Sequence, residues 1–397
     1  MHILHESFLQ TYGNDYADLH YARSPLRICP LGAHVDHQHG LVTGMALDAA
    51  VKMLYVPDDR GYVRLRSLDF PDEEYFHLDH VPGMVPGFWG NYLRGAILSL
   101  RRDHILKKGF KAIISGNLPI GGLSSSAAVT TAYLIALCDV NGISATAHNL
   151  MRYSHWVENS FIGLNNGLLD QAANILSKKS HLLFMDMGTN HYELLEEPSS
   201  MPSYEIIVVY SGISKALIST DYNNRVDECK VSAWILQELA HREIASLRET
   251  YLRDVGQEMY EKYRGQLPER FRKRADHFFA ENARVLKGVE AWKKGDLKTF
   301  GQLMSASGES SIHLYECGCP ELITIYDILR EAPGVYGARF SGAGYRGCCI
   351  GLIDPTQKDR IKETIDRKYP AKHPAYKDKY RVHFCQTDDG ARIERDV

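Results

Sequence analysis

No Gly-Lys-Ser or Gly-Lys-Thr occurs anywhere in the 397 residues, which excludes a Walker-type nucleotide loop. Nor does any apolar run approach the ~18 residues that a membrane-spanning helix needs. The N-terminal Met1-His2-Ile3-Leu4-His5-Glu6 lacks the basic region and apolar core of a secretory signal. Basic residues are dispersed and the net charge is −3, so neither a nucleic-acid nor an anionic-membrane partner is indicated. Internal repeats and low-complexity tracts are absent as well. There are eight cysteines, mostly within apolar stretches, and they read as reduced thiols rather than as a disulfide framework. Cys317-Gly318-Cys319 and Cys348-Cys349 have no second CxxC or His pair at zinc spacing, which favours buried thiols over a metal site. A cytoplasmic protein is the expectation.

The composition that remains, 44% apolar and 24% charged, is that of an ordinary globular protein too long for a single core. Val63-Arg64-Leu65-Arg66, Phe76-His77-Leu78, Phe110 to Ile114, His181 to Met187 and Tyr204 to Tyr210 read as strands. Helices are predicted from Phe88 to about Asp103, from about Thr146 to Phe161, from near Leu168, and over most of 223–300. Residues 335–354 read as strand, Gly-rich loop and strand. The sum is an α+β protein with two lobes around a cleft, divided at the Pro198 to Pro202 linker into 1–197 and 198–397.

The most informative segment is Gly116-Asn117-Leu118-Pro119-Ile120-Gly121-Gly122-Leu123-Ser124-Ser125-Ser126-Ala127-Ala128, which leads into an apolar helix ending near Asn141-Gly142. A helix N-terminus offers free N–H groups and the positive end of a dipole, glycines permit close approach, and serine hydroxyls reach a phosphate or metal. Pro119, Gly121, Gly122, Leu123, Ser124, Ser125, Ser126 and Ala127 are therefore candidate phosphate-binding residues. A serine-rich cap on an ordinary core helix is the alternative.

Two further segments carry a family resemblance. Ser24-Pro25-Leu26-Arg27-Ile28-Cys29-Pro30-Leu31-Gly32-Ala33-His34-Val35-Asp36-His37-Gln38-His39-Gly40 resembles the first galactokinase signature, roughly G-R-V-N-L-I-G-E-H-T-D-Y-N-G-G. The serine loop resembles the second. Gly337-Ala338-Arg339-Phe340-Ser341-Gly342-Ala343-Gly344-Tyr345-Arg346-Gly347-Cys348 resembles the third, G-A-R-x-T-G-A-G-F-G-G-C. Order and spacing agree with the wider GHMP small-molecule kinases. Gly342 to Gly347 also satisfies G-x-G-x-x-G, but it lies near the C-terminus and leads into a strand rather than a helix, so it is not a dinucleotide fingerprint. Gly342 and Gly344 instead belong to a loop that closes over the phosphates or braces the second signature.

The resemblance implies an ATP-dependent kinase with a two-lobed GHMP fold, using Mg²⁺ and phosphorylating the anomeric hydroxyl of a galactose-type sugar. It places Mg²⁺ on Ser126 and Glu158, whose hard oxygens suit a small six-coordinate cation. Asp170 matches the proposed catalytic base and Arg27 the arginine near the same hydroxyl, where a permanent charge can neutralise the transferring group. A helix-capping aspartate and a strand-edge arginine are the plain alternatives. His34, Asp36, Gly167 and Tyr222 match sugar-pocket residues. Trp89 falls where the family stacks a tryptophan on adenine, although core packing would explain it equally.

Ala33 departs from the family, whose glutamate there is held to contact the C6 hydroxyl of galactose. Its loss removes a charge that would repel a C6 carboxylate by about 1 to 4 kcal/mol. The wording around Ala33, and Arg346 where galactokinases have glycine, resemble galacturonokinases. The expected substrate is a small-molecule sugar or sugar acid, with galacturonate ahead of galactose. Arg346 and the His37-Gln38-His39 run are further specificity candidates. An inactive sugar- and ATP-sensing relative is a third reading, disfavoured by the intact serine loop. A monomer is expected.

Overall fold

Strands β1 (His20–Ile28) and β2 (Leu41–Asp58) form the spine of the first sheet, and nearly every side chain of β2 is buried, as befits a strand covered on both faces. The computed structural model describes residues 2–13, 16, 19–116, 122–213, 221–244 and 246–395. Strands β3 (Tyr62–Ser67), β4 (Glu73–His77), β5 (Gly109–Gly116), β6 (His181–Asp186) and β7 (His191–Glu196) extend this sheet. The β3–β5 pair is parallel, and the others are antiparallel. Strands β8 (Glu205–Tyr210), β9 (Val335–Phe340), β10 (Cys348–Ile353) and β11 (Arg381–Cys385) form a second, antiparallel sheet in the order β11-β8-β10-β9. The chain then returns to the first sheet, where β12 (Thr387–Asp388) pairs with β2 and β13 (Arg392–Glu394) with β1. These last strands cross back over the 197/198 division expected from sequence order.

Helices α1 (His2–Tyr12), α2 (Asn91–Leu100), α3 (Ser125–Val140), α4 (Ala147–Trp156) and α5 (Leu169–Leu176) precede β8. After it come α6 (Tyr222–Leu239), α7 (Leu252–Val255), α8 (Gln257–Tyr263), α9 (Glu269–Lys293), α10 (Leu297–His313), α11 (Pro320–Glu331) and α12 (Lys358–Lys372). Helix α3 is apolar all round and correspondingly buried. Two large cores meet on β8, whose Ile206 and Val208 face one while Ile207 and Val209 face the other. Helix α9 spans both, with Phe278 and Phe279 in one core and Val285, Val289 and Trp292 in the other. Its middle, at His277 and Glu281, therefore arrives at the junction.

Several element boundaries differ from the sequence reading, three of them for reasons visible in the structure. The helix expected from Phe88 begins at Asn91, because the Asn91 amide binds both the N–H and the carbonyl of Val85 and pins the preceding residues as a turn. β4 stops at His77, and Leu78 opens a 3₁₀ turn. The helix expected to run to Phe161 gives way after Trp156 to a π-helical turn, Val157–Ile162, where the Gly163 N–H reaches back five residues to the Glu158 carbonyl at 3.1 Å. An apolar repeat does not distinguish four-residue from five-residue bonding. Glu158 sits on this widened turn.

Helix α10 lies directly on β9. A Cβ at Gly301 would stand 2.2 Å from the Tyr336 carbonyl oxygen, and one at Gly337 would stand 1.9 Å from that of Gly301. This contact sets how deeply β9, which carries Arg339, seats against the helix. Gly337→Ala should lower the unfolding free energy by about 1–3 kcal/mol, the range for overpacking a tight core, in a urea titration. An unchanged midpoint would contradict the close approach.

Candidate active site

Arg27 links β1 to the serine loop: its backbone N–H donates to the Leu123 carbonyl at 3.2 Å. Its side chain is buried in the sheet, not exposed at a strand edge. Nε donates to Asp170 Oδ1 at 2.8 Å, Nη2 donates to the same oxygen, and Nη1 is buried with no partner among the described residues. Asp170 lies in the first turn of α5, where a carboxylate also complements the helix dipole.

Beyond β1 the chain turns sharply, with Gly32 at φ 97° and His34 at φ 57°. Only glycine fits at 32, since a Cβ would stand 2.5 Å from Val42 Cα. The turn is held by α9. Glu281, fully buried, accepts from the N–H groups of Gly32 (2.8 Å) and Ala33 (3.1 Å), from Ser307 Oγ (2.6 Å) and from Arg284 Nε (2.7 Å). Burial alone would raise its pKa, but Arg284 and these donors win and hold it down to about 2. His277 Nε2 lies 2.8 Å from the Ala33 carbonyl and Nδ1 2.8 Å from Ser310 Oγ. His34 stacks on Tyr315 with ring centroids 4.2 Å apart and stands 3.5 Å from Cys317 Sγ. Burial, with His277 nearby, keeps it neutral at pH 7.

Asp36 faces the same pocket, where burial and the like charge of Asp170 push its pKa up to about 6. Gly167 lies against it: a Cβ there would stand 2.6 Å from Asp36 Oδ2. Glu158 is buried, and its Oε2 accepts from Asn166 Nδ2 (2.6 Å) and Gln171 Nε2 (2.7 Å). Burial and Asp170 raise its pKa to about 7, while Ser126 lies within hydrogen-bonding reach. Oε1 is nonetheless buried without a partner among the described residues. Tyr222, at the start of α6, closes the pocket on another side, and Arg339 of β9 closes it next to Gly342 and Ala343. Arg339 is buried, Nη1 donates to the Cys29 carbonyl at 2.7 Å, and Nε has no partner among the described residues.

The pocket thus gathers Arg27, Ala33, His34, Asp36, Ser126, Glu158, Asp170, Tyr222 and Gly342. At the head of α3, Ser124 is left-handed (φ 56°, ψ 46°), which is uncommon for a non-glycine residue, and its Oγ is buried without a partner among the described residues. Ser125 opens the helix, and Leu123 and Ala127 turn into the core. Gly122 (φ 84°) and Gly342 (φ 67°) pack against one another, so the third signature braces the second. Pro119 and Gly121 lie outside the described residues. Gly344 packs on Cys317 rather than lining the pocket, and Trp89 is also apart from it, its Nε1 donating to the Pro71 carbonyl at 2.9 Å. The His37-Gln38-His39 run faces the C-terminal helices: His37 Nε2 lies 3.2 Å from Tyr315 Oη, Gln38 Oε1 accepts from Leu252 N–H, and His39 stacks on Tyr251.

Sequence reading missed Arg339, Asn166, Gln171 and Glu281. Arg339 stands inside the quoted third signature, and Asn166 and Gln171 flank the Asp170 motif, so proximity to motifs was an available signal for these three. Glu281 had none.

Residues 91–178 match the family described as GHMP kinases N terminal domain, and residues 288–371 match GHMP kinases C terminal. The galacturonokinase of Arabidopsis thaliana is 38% identical, the alignment covering 98% of this chain and 96% of that protein. A galactokinase of Roseiflexus sp. is 30% identical over 98% and 95%. The chain belongs to the galactokinase family of the GHMP kinases. The crystal structure of Lactococcus lactis galactokinase complexed with galactose superimposes with a TM-score of 0.88 at 28% identity, covering 98% of each chain. Methanococcus jannaschii mevalonate kinase shares the fold, with a TM-score of 0.64 at 17% identity over 95% and 100%. This GHMP kinase is accordingly an ATP-dependent enzyme. Both matched segments contribute to the pocket lining, the first with Ser126, Glu158 and Asp170 and the second with Arg339 and Gly342.

Asp36 supplies a test of the electrostatics. Its folded pKa of about 6 lies above the ordinary 3.8, so the stability associated with its protonated form is present below pH 3.8 and is lost as pH rises through 6. Asp36→Asn should therefore raise Tm by about 1–4 °C at pH 7.5, and the gain should shrink toward pH 4. A lower Tm at pH 7.5, measured by calorimetry, would show that Asp36 is not under repulsion.

Proposed function

We propose that this kinase transfers the γ-phosphoryl group of ATP to the anomeric C1 hydroxyl of D-galacturonate, giving galacturonate 1-phosphate. The observation that carries the choice of sugar is the wall at Ala33. A methyl group stands where galactokinases place a carboxylate, on the same pocket as the buried, incompletely paired guanidinium of Arg339. Glu281 lies behind that wall, but its oxygens are consumed by backbone N–H groups, Ser307 and Arg284. A sugar carboxylate on this side would meet the Arg339 guanidinium and the neutral His34, with Asp36, its pKa pushed up to about 6, the only carboxylate on this wall among the described residues. The 38% identity to a galacturonokinase, against 30% to 34% for galactokinases, points the same way.

Asp170 then accepts the proton of the C1 hydroxyl or orients that hydroxyl toward the γ-phosphate, and Arg27, with Nη1 free, neutralises charge on the transferring group. His34, Asp36, Gly167 and Tyr222 shape the sugar site. Gly122 and Ser124 to Ala127 receive the phosphates, Gly342 supports them, and we assign Trp89, which stands apart from this pocket, to stack on the adenine. Glu158 Oε1, buried without a partner among the described residues, and the Ser126 hydroxyl in hydrogen-bonding reach of Glu158 fit a hard divalent cation, so these two residues would hold Mg²⁺. Bound there, it would supply positive charge against the nucleotide phosphates. The eight cysteines are all free thiols, in keeping with a cytoplasmic setting, and we take the kinase to act as a monomer.

Reinstating the family carboxylate tests the reading. The native chain should prefer galacturonate to galactose in kcat/KM, and Ala33→Glu should erase or reverse that preference, with galacturonate losing roughly tenfold or more. Identical preferences in the two proteins would place specificity elsewhere.

A further inference from the structure

Arg346 stands on the loop between β9 and β10, at a position where the third galactokinase signature has glycine. The loop rests on the phosphate loop: a Cβ at Gly342 would be 3.0 Å from Gly122 Cα, and one at Gly122 would be 2.8 Å from Cys348 N. Its far end is fixed by the Gly347 carbonyl, which accepts from the N–H (2.8 Å) and Oγ (2.9 Å) of Ser211. Between these anchors the Arg346 side chain is half-buried, and its Nε is fully buried without a partner among the described residues. No described carboxylate forms an ion pair with it. The titratable groups that face it are Tyr92 of α2 and Tyr210 at the end of β8, neither of them anionic at neutral pH. Burial unopposed by an anion pulls its pKa below that of an ordinary arginine. A guanidinium drawn out of water with no counter-ion is destabilising until an anion arrives.

Two anions come to this enzyme, the nucleotide phosphates and the proposed sugar carboxylate, and position separates them. Arg346 is not on the pocket wall that carries Ala33, His34 and Asp36. It lies instead toward Tyr92, which also senses Glu158 and follows Trp89 by three residues at the head of α2. That is the side of Ser126, Glu158 and Gly122. We propose that Arg346 binds phosphate oxygens of the bound adenosine nucleotide, adding a guanidinium to a cradle that galactokinases build with glycine at this position. A planar guanidinium offers two parallel donors to a phosphate, which suits the role. The inference requires ATP use and is independent of which sugar is phosphorylated.

Calorimetric titration of the full chain with ADP and with adenosine tests it. Arg346→Gly, which installs the galactokinase residue, should weaken ADP binding by about tenfold or more and leave adenosine binding unchanged. Arg346→Lys, which keeps the charge in case the glycine variant fails to fold, should bind ADP with intermediate affinity. In turnover, KM for ATP should rise by a similar factor while KM for the sugar stays constant. Equal ADP affinity in the native and Arg346→Gly proteins would overturn the proposal, and so would a rise confined to the sugar KM, which would assign Arg346 to the carboxylate. Because ADP binding needs no sugar, failure of the galacturonate assignment would show only in turnover.

Discussion

Three carboxylates, on Asp36, Glu158 and Asp170, face one largely buried pocket, and among the described residues only Asp170 has an ion-pair partner there, Arg27. The rest of the site follows from this crowding of like charge. Burial first, and the like charge of Asp170 second, push Asp36 up to about 6 and Glu158 to about 7, and Glu158, with Ser126 in hydrogen-bonding reach, is suited to an added cation. The crowding also limits where a fourth carboxylate can go. A glutamate at 33 would be that fourth group on the protein; with alanine there, the place is free for a carboxylate of the substrate, on the wall that Arg339 shares.

Long-range contacts hold this unfavourable charge distribution in place. Arg27 belongs to the first sheet and Asp170 to α5, while Glu281 reaches from the middle of α9 to fix the Gly32–Ala33 turn. Gly122 and Gly342 join the serine loop to the loop of the second sheet. A buried ion pair is costly to form and costlier to break, because removing one partner strands the other. Ser124 Oγ, Arg27 Nη1, Arg339 Nε and Arg346 Nε have no partner among the described residues.

Much of this was legible in the sequence because it is local. The Gly-Gly-Leu-Ser-Ser-Ser run, the turn around Gly32 and the Gly-rich loop after β9 each carry their chemistry within a dozen residues, and strand alternation gave the α+β class. What was not legible depends on partners far along the chain. Glu281 is 248 residues from Ala33, and nothing in its own helix distinguishes it from a solvated carboxylate. The π-turn that carries Glu158 and the return of β12 and β13 to the first sheet likewise arise from packing that no short segment encodes. The back-to-back glycines of the second and third signatures are individually conspicuous, yet only the fold shows that they touch.

The central claim is that the free wall at Ala33 makes this a uronate kinase acting at C1. Supplying the native enzyme with ATP, Mg²⁺ and equal concentrations of galacturonate and galactose, and following products by phosphorus NMR, tests it most directly. Galacturonate 1-phosphate should be the dominant product, its phosphorus coupled to the anomeric proton. Dominant galactose 1-phosphate, or a phosphate on any carbon other than C1, would contradict the account.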